Sequence, residues 1–241
     1  MANFKIYPLH VGDLNRQKSN LAFMQAPGVK IDFPLICWYL TDGVHHVMVD
    51  TGGTAPDSRW QPHTRTPEQH PATALKRLGV NPKDITTVIL THLHWDHAGN
   101  NDLFPNAKFY VQRREIEEAK NPPIKIFAGS YDPAEIFKTP YIALDGDSQI
   151  MDGIRVIMTP GHTLGSQSVI VDTEAGPHVI AGDLIGLLEC YEHDPMFVNG
   201  IHIDLRDYFA SMERVKAIGG VVLPGHDYRV FEHSVYPAQE V

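Results

Sequence analysis

The stretch THLHWDHAGN, residues 91–100, places three histidines and one aspartate within six positions, directly after the apolar run ITTVIL. Alternate residues of an extended segment point to the same side, so His92 and His94 can bind one ion together. A helix that we expect to begin at Asp96 would turn Asp96 and His97 toward a second ion. Imidazole and carboxylate donors suit zinc, manganese, iron or cobalt, with zinc the default. The stretch therefore predicts a metal site at the end of a strand.

Three later segments add donors of the same kind, each after an apolar run. VIMTPGHT and VVLPGHD place His162 and His226 after a Pro-Gly turn, and VIAGDL places Asp183 at the end of a predicted strand. Together with the first stretch they provide the seven donors that two adjacent ions need when they share one carboxylate. Such a set leaves coordination room for water, as catalytic sites do. The alternative is an accidental cluster of surface histidines.

Length and charge limit the classes of protein that the chain can represent. It has 241 residues, enough for one substantial core, and no linker divides it, so we expect a single domain over residues 1–241. The net charge of −9 argues against nucleic acid as the main partner. No segment resembles a signal peptide or a membrane span, so we expect a cytoplasmic protein with no membrane partner. Cys37 and Cys190 should both be reduced.

The pattern of apolar residues predicts many short strands and few helices, and hence an α+β fold with sheets packed face to face and helices outside. Strands are expected at 33–41, 44–49, 85–91, 107–112, 154–158, 167–172, 177–182 and 220–223. One helix is expected over 67–78. A second begins at the N-cap Asp204 and has an apolar stripe that should face the core, formed by Leu205, Tyr208, Phe209, Met212 and Val215. The Pro-rich segment 54–71 is either a lid over the site or a plain connection.

On these motifs the chain resembles the metallo-β-lactamase superfamily over residues 33–231. The resemblance implies a four-layer αββα sandwich with two metal ions at one edge of the sheets. One ion would be bound by His92, His94 and His162, the other by Asp96, His97 and His226, and Asp183 would bridge them. The run VMVDTGG also resembles a loop of the family in which Asp50 would orient a ligating imidazole.

Within this superfamily the sequence is most similar to the quorum-quenching N-acyl-homoserine lactonases. Asp183 argues against true β-lactamases, which lack the bridging aspartate, and His94 stands where flavodiiron proteins have glutamate. The acidic balance argues against the nuclease branch. The run GIHIDLRDYFASMERVKAIGGVVLPGHD and the spacing from Asp183 to His226 both resemble the lactonases.

The expected activity is therefore opening of a lactone, such as an N-acyl-homoserine lactone, by a hydroxide shared between two divalent ions, most simply Zn²⁺. Asp96 would double as a catalytic residue that carries a proton to the leaving group. The alternative substrates are another small ester, a thioester as in glyoxalase II, or a cyclic amide. A non-catalytic metal-binding or partner-binding module is disfavoured because it would not need seven ligands. The partner is a small-molecule substrate, and a homodimer is left open.

One position departs from the lactonase pattern. Those enzymes carry a substrate-contacting tyrosine three residues after the bridging aspartate, where this chain has Gly186. The nearest tyrosine in sequence is Tyr191, which either folds back over the metals as a catalytic residue or is an ordinary packed side chain.

Overall fold

The computed structural model describes residues 3–54 and 63–238, and residues 55–62 of the predicted lid or connection lie outside this range. Its first sheet has six strands in chain order, antiparallel from the first to the third and parallel from the third to the sixth. These are β1 (Lys5–Gln17), β2 (Lys30–Thr41), β3 (His46–Val49), β4 (Thr87–Ile89), β5 (Lys108–Gln112) and β6 (Tyr141–Leu144).

The second sheet has five strands that also lie side by side in chain order. Neighbouring strands are antiparallel except for the last two, which are parallel. They are β7 (Ser148–Met151), β8 (Ile154–Met158), β9 (Gln167–Thr173), β10 (Gly176–Gly182) and β11 (Val221–Pro224). The α-helices are α1 (Pro71–Arg77), α2 (Arg113–Lys120), α3 (Pro133–Ile136), α4 (Leu188–Glu192) and α5 (Leu205–Lys216). None of the helices in the described ranges combines the length and apolarity needed to cross a membrane.

The alternation of side chains along β2 shows how the layers form. Ile36, Trp38 and Leu40 join a buried cluster with residues of the second sheet, such as Val156 and Val169. The intervening residues of β2 point to the other face, into a cluster that the helical layer of the first sheet covers. Because strand side chains alternate between faces, one apolar strand serves two cores.

The outer face of the second sheet is covered in the same way. Ile170 and Val179 pack against Tyr208, Met212 and Val215 of α5. Helix, sheet, sheet and helix thus form four layers, and the predicted αββα sandwich is confirmed.

Helix α5 begins where the sequence predicts, because the side chain of Asp204 accepts hydrogen bonds from the backbone N–H groups of Arg206 and Asp207. Its core stripe is narrower than predicted. Leu205 and Phe209 are 40% and 43% exposed, because the sheet contacts only the face that carries Tyr208 and Met212.

The predicted helix over 67–78 is wrong over its first four residues. A 3₁₀ turn covers Pro67–Gln69, and α1 begins only at Pro71. His70 between them is extended, with ψ of 128°, because a residue that precedes proline is sterically excluded from the helical region.

Candidate metal centre

The stretch 91–100 follows β4 as a loop, and the helix predicted to begin at Asp96 is absent. The N–H groups of His97 and Ala98 both donate to the carbonyl of His94, at 3.0 and 3.1 Å, which closes a turn. The chain then joins the loop after β3, where the N–H of Gly99 donates to the carbonyl of Gly52 at 2.9 Å. A Cβ on Gly99 would lie 2.4 Å from a backbone nitrogen of that loop, so glycine is required there.

The seven predicted donors come from four loops at one edge of the two sheets, after β4, β8, β10 and β11. They form three overlapping groups in which the donor atoms lie within 4.8 Å of one another. These groups are His92, His94 and His162; His92, His97 and Asp183; and Asp96, His97 and His226. The first and third match the two sets inferred from the sequence, and the second joins them.

The carboxylate of Asp183 lies between the two sets. Its Oδ1 is 3.0 Å from Nε2 of His97 and 3.0 Å from Nε2 of His226, while its Oδ2 is 3.3 Å from Nε2 of His162. One oxygen therefore faces each set, which is the arrangement that a bridging carboxylate needs.

Three inner atoms of this cluster are buried without a well-directed hydrogen bond among the described residues, although the last two lie 3.0 Å apart: Nε2 of His92, Nε2 of His97 and Oδ1 of Asp183. Burial lowers the pKa of His92 and of His94 well below the usual histidine value, and neighbouring imidazoles lower both further. Burial opposes a positive charge on His97 and His226 too, but the carboxylate of Asp183 raises the pKa of both, so this side of the cluster attracts positive charge. A neutral imidazole is the form that binds a metal ion. The donor set therefore fits divalent cations.

The outer nitrogens of three imidazoles are held by oxygen atoms. An Nδ1–H that donates to an oxygen leaves the lone pair on Nε2, so these contacts set the tautomer that can ligate. The pairs are His97 Nδ1 with Asp50 at 2.8 Å, His162 Nδ1 with the Ile201 carbonyl at 2.7 Å, and His226 Nδ1 with the Pro34 carbonyl at 2.9 Å.

Asp50 makes the contact with His97 that its predicted orienting role requires. Besides His97, its carboxylate accepts from the backbone N–H of Thr91 at 2.7 Å and from the Thr91 hydroxyl at 2.8 Å. Its φ of 60° is unusual for a residue other than glycine. The strained turn thus places one carboxylate against both the start of the metal-binding loop and one of its imidazoles.

Two buried glutamates of α2 were missed by the sequence analysis. Glu115 accepts from the N–H of Leu93 at 2.8 Å and from the hydroxyl of Thr163 at 2.6 Å, so it joins the loops that carry His92 and His162. Burial raises the pKa of Glu115 to about 7, and burial together with the nearby Glu115 carboxyl group raises the pKa of Glu118 to about 8. The signal lay in RREIEEAK, where two acidic residues at i and i+3 share the buried face of a helix.

A cavity of about 180 Å³ opens onto the donors. Its walls include five of them, the apolar Leu14, Leu21, Phe33, Trp95 and Ile201, and the polar Arg16, Asn20, Ser130 and Asn199. Tyr191 does not line this cavity. It lies in α4, packed against the cluster under α5, and burial raises its pKa. This position favours the ordinary packed tyrosine over the predicted catalytic one.

Comparison with known proteins gives the same family as the motifs. The family model of the metallo-beta-lactamase superfamily matches residues 36–227. An N-acyl homoserine lactonase from a Bacillus species is 30% identical over 92% of this chain and 93% of its own length.

Two solved structures are also similar. A mutant of B. thuringiensis AiiA with N-decanoyl-L-homoserine bound at the active site has a TM-score of 0.82 and 27% identity over 96% of each chain. An N-acyl homoserine lactone hydrolase with N-hexanoyl-L-homoserine bound at its catalytic metal center gives the same TM-score, identity and coverage.

Proposed function

This chain belongs to the metallo-beta-lactamase superfamily of hydrolases, and from that premise we propose that it opens the ring of a lactone, with N-acyl homoserine lactones as its substrates. The lactonase similarity extends over nearly the whole chain and is not restricted to the histidine motif. Ring opening converts an ester into a hydroxy acid, so one carbonyl carbon is attacked and one alkoxide leaves.

The observation that carries the proposal is the position of Asp183 between two sets of donors with unpartnered inner atoms. We assign His92, His94 and His162 to one ion, Asp96, His97 and His226 to the other, and Asp183 to both. The histidine-rich set favours zinc. When bound, two such ions lower the pKa of water to near neutrality and polarise the carbonyl of the substrate.

Asp96 is the donor best placed to move a proton. Its side chain is 12% exposed, whereas the side chain of Asp183 is 8% exposed, and it lines the cavity. Its Oδ2 lies 3.8 Å from His226 Nε2 and 3.9 Å from His97 Nε2. A carboxylate that faces both the ligands and the cavity can hold a proton and pass it to the leaving oxygen.

The cavity walls provide surfaces for the two parts of an acylated lactone. Leu14, Leu21 and Phe33 offer apolar contact for an acyl chain. Asn20 and Arg16 offer hydrogen bonds to the polar amide of such a substrate.

A substrate panel tests the proposal. Acyl homoserine lactones, simple lactones, a thioester and a β-lactam are offered to one preparation, and the hydroxy-acid product is followed by mass spectrometry with and without chelator. The expected result is chelator-sensitive lactone opening with a kcat/KM above that of every other class. Thioester hydrolysis without lactone opening would replace the proposal with a glyoxalase-II-like activity.

A further inference from the structure

The cavity has one fully buried polar side chain, apart from the donors, that no role yet accounts for: Asn199, which is 2% exposed. It lies in the segment between α4 and α5, in a stretch without regular secondary structure. Burial of an amide costs free energy unless its donors and acceptor find partners, so its position needs an explanation.

The orientation of this amide is fixed by its oxygen. Oδ1 of Asn199 accepts from the N–H of Ile201 at 2.9 Å, which turns the NH₂ group to the opposite side. There Nδ2 makes one long bond of 3.4 Å to the backbone carbonyl of Asp183. An amide nitrogen has two N–H donors, so it retains donor capacity beside Asp183.

Gly186 leaves space next to this nitrogen. A Cβ at Gly186 would lie 3.5 Å from Nδ2 of Asn199 and 3.4 Å from the side chain of Leu21, and both of those residues line the cavity. No side chain at 186 therefore stands against the amide nitrogen, and Asn199 itself lines the cavity.

Besides Asn199, one described side chain donates to the backbone carbonyl of Asp183, and its hydroxyl is already used. The hydroxyl of Tyr208 is fully buried and contacts the carbonyls of Asp183 and Leu184, at 2.7 Å each. Tyr191 packs outside the cavity. Asn199 is thus a buried neutral side chain in the cavity wall that retains donor capacity beside Asp183.

We propose that Asn199 is a further catalytic residue, whose Nδ2 donates a hydrogen bond to the carbonyl oxygen of the scissile ester as that oxygen gains negative charge. This inference rests on the proposed function. A fixed donor stabilises the developing charge without the cost of reorganisation, because the Ile201 N–H already holds the amide in place.

The segment that carries Asn199 also orients a metal ligand, since the Ile201 carbonyl contacts His162. The variants must therefore separate the NH₂ group of Asn199, the proposed donor, from its Oδ1, which stabilises the turn to Ile201. Asn199→Asp keeps an acceptor for the Ile201 N–H and removes the NH₂ group, whereas Asn199→Ala removes both. Metal content and melting temperature are measured for each variant.

The kinetic measurement compares a lactone with its thiono analogue, in which sulfur replaces the carbonyl oxygen. For Asn199→Asp we expect kcat on the lactone to fall about a hundred- to a thousandfold, as loss of one oxyanion donor does, with metal content close to wild type. On the thiono analogue the ratio of wild-type to variant rates should shrink toward one, because sulfur is a weak acceptor.

Three results would overturn the proposal: unchanged kcat in both variants, the same ratio on both substrates, or loss of metal from Asn199→Asp. Loss of metal would mean that the residue acts through the His162 segment. If wild-type protein opens no lactone, the proposed function itself fails.

Discussion

The contact between Asp50 and His97 can be tested by a change of one atom. In Asp50→Asn the side-chain oxygen can still accept from the Thr91 N–H, which lies 2.7 Å away. The NH₂ group then faces His97 Nδ1, which is 2.8 Å from the carboxylate in the native chain. A donor at that place favours the tautomer with its proton on Nε2, the atom that would bind the ion.

The size of the effect follows from the role of such partners. Loss of the residue that orients a ligating imidazole weakens metal binding about 10- to 100-fold, or by about 1.4 to 2.8 kcal/mol. Only one set of donors contains His97, so one ion should be weakened and the other retained. Titration with zinc against a competing chelator should show one site whose zinc affinity is about 10- to 100-fold lower than in the native protein.

The exposed hairpin after β2 offers a matched control. Asp42 contacts His45 Nδ1 at 2.8 Å, the same type of pair at the same distance, far from the donor cluster in the fold. Asp42→Asn should leave both metal affinities unchanged. If Asp50→Asn also binds two ions with native affinity, Asp50 does not control the tautomer of His97 and our account of the site is wrong.

Three further predictions concern other parts of the site. Asp183→Ala removes a donor from both sets, so elemental analysis should show a larger loss of metal than for His226→Ala. His178 is buried outside the cluster, and His178→Ala should keep its metal. Equal losses from Asp183→Ala and His226→Ala would reject the bridging role. The raised pKa of Glu118, about 8 because of burial and a neighbouring carboxyl group, means that the folded state retains a proton that the unfolded state releases near pH 4.5. Native stability should therefore fall as pH rises from about 4.5 through about 8, and Glu118→Gln should flatten this fall in thermal melts; an equal slope in both proteins would contradict the shift. Tyr191→Phe should leave kcat and KM near wild type in lactone hydrolysis, and a loss of tenfold or more would return a substrate contact to this residue.

The sequence predicted those elements of the fold whose signals lie within a few neighbouring residues. The continuous apolar run of β2 and the N-cap at Asp204 are local signals, and both elements formed as expected. The long strand β1 was missed, because its polar residues and its glycine at position 12 break the alternation. The helix at Asp96 was wrong because long-range hydrogen bonds to the loop after β3 decide that backbone.

The donor cluster could be predicted because each donor follows an apolar strand, and strand ends meet at one edge of the sandwich. Glu115 could not be found in this way, since its importance depends on which loops lie above a helix and not on its neighbours in sequence. Asn199 lies in an irregular segment, where neither periodicity nor motif marks a buried amide. The single domain over residues 1–241, the homodimer and the cytoplasmic location stay predictions.

Stepwise return of metal to the protein tests the central claim most directly. Metal-free protein is titrated with Zn²⁺ while lactone opening and bound zinc are measured in the same samples. We expect activity to appear with binding of the second equivalent per chain, because Asp183 and the two donor sets act together. Full activity with a single bound ion, or two bound ions without any lactone opening, would contradict the account.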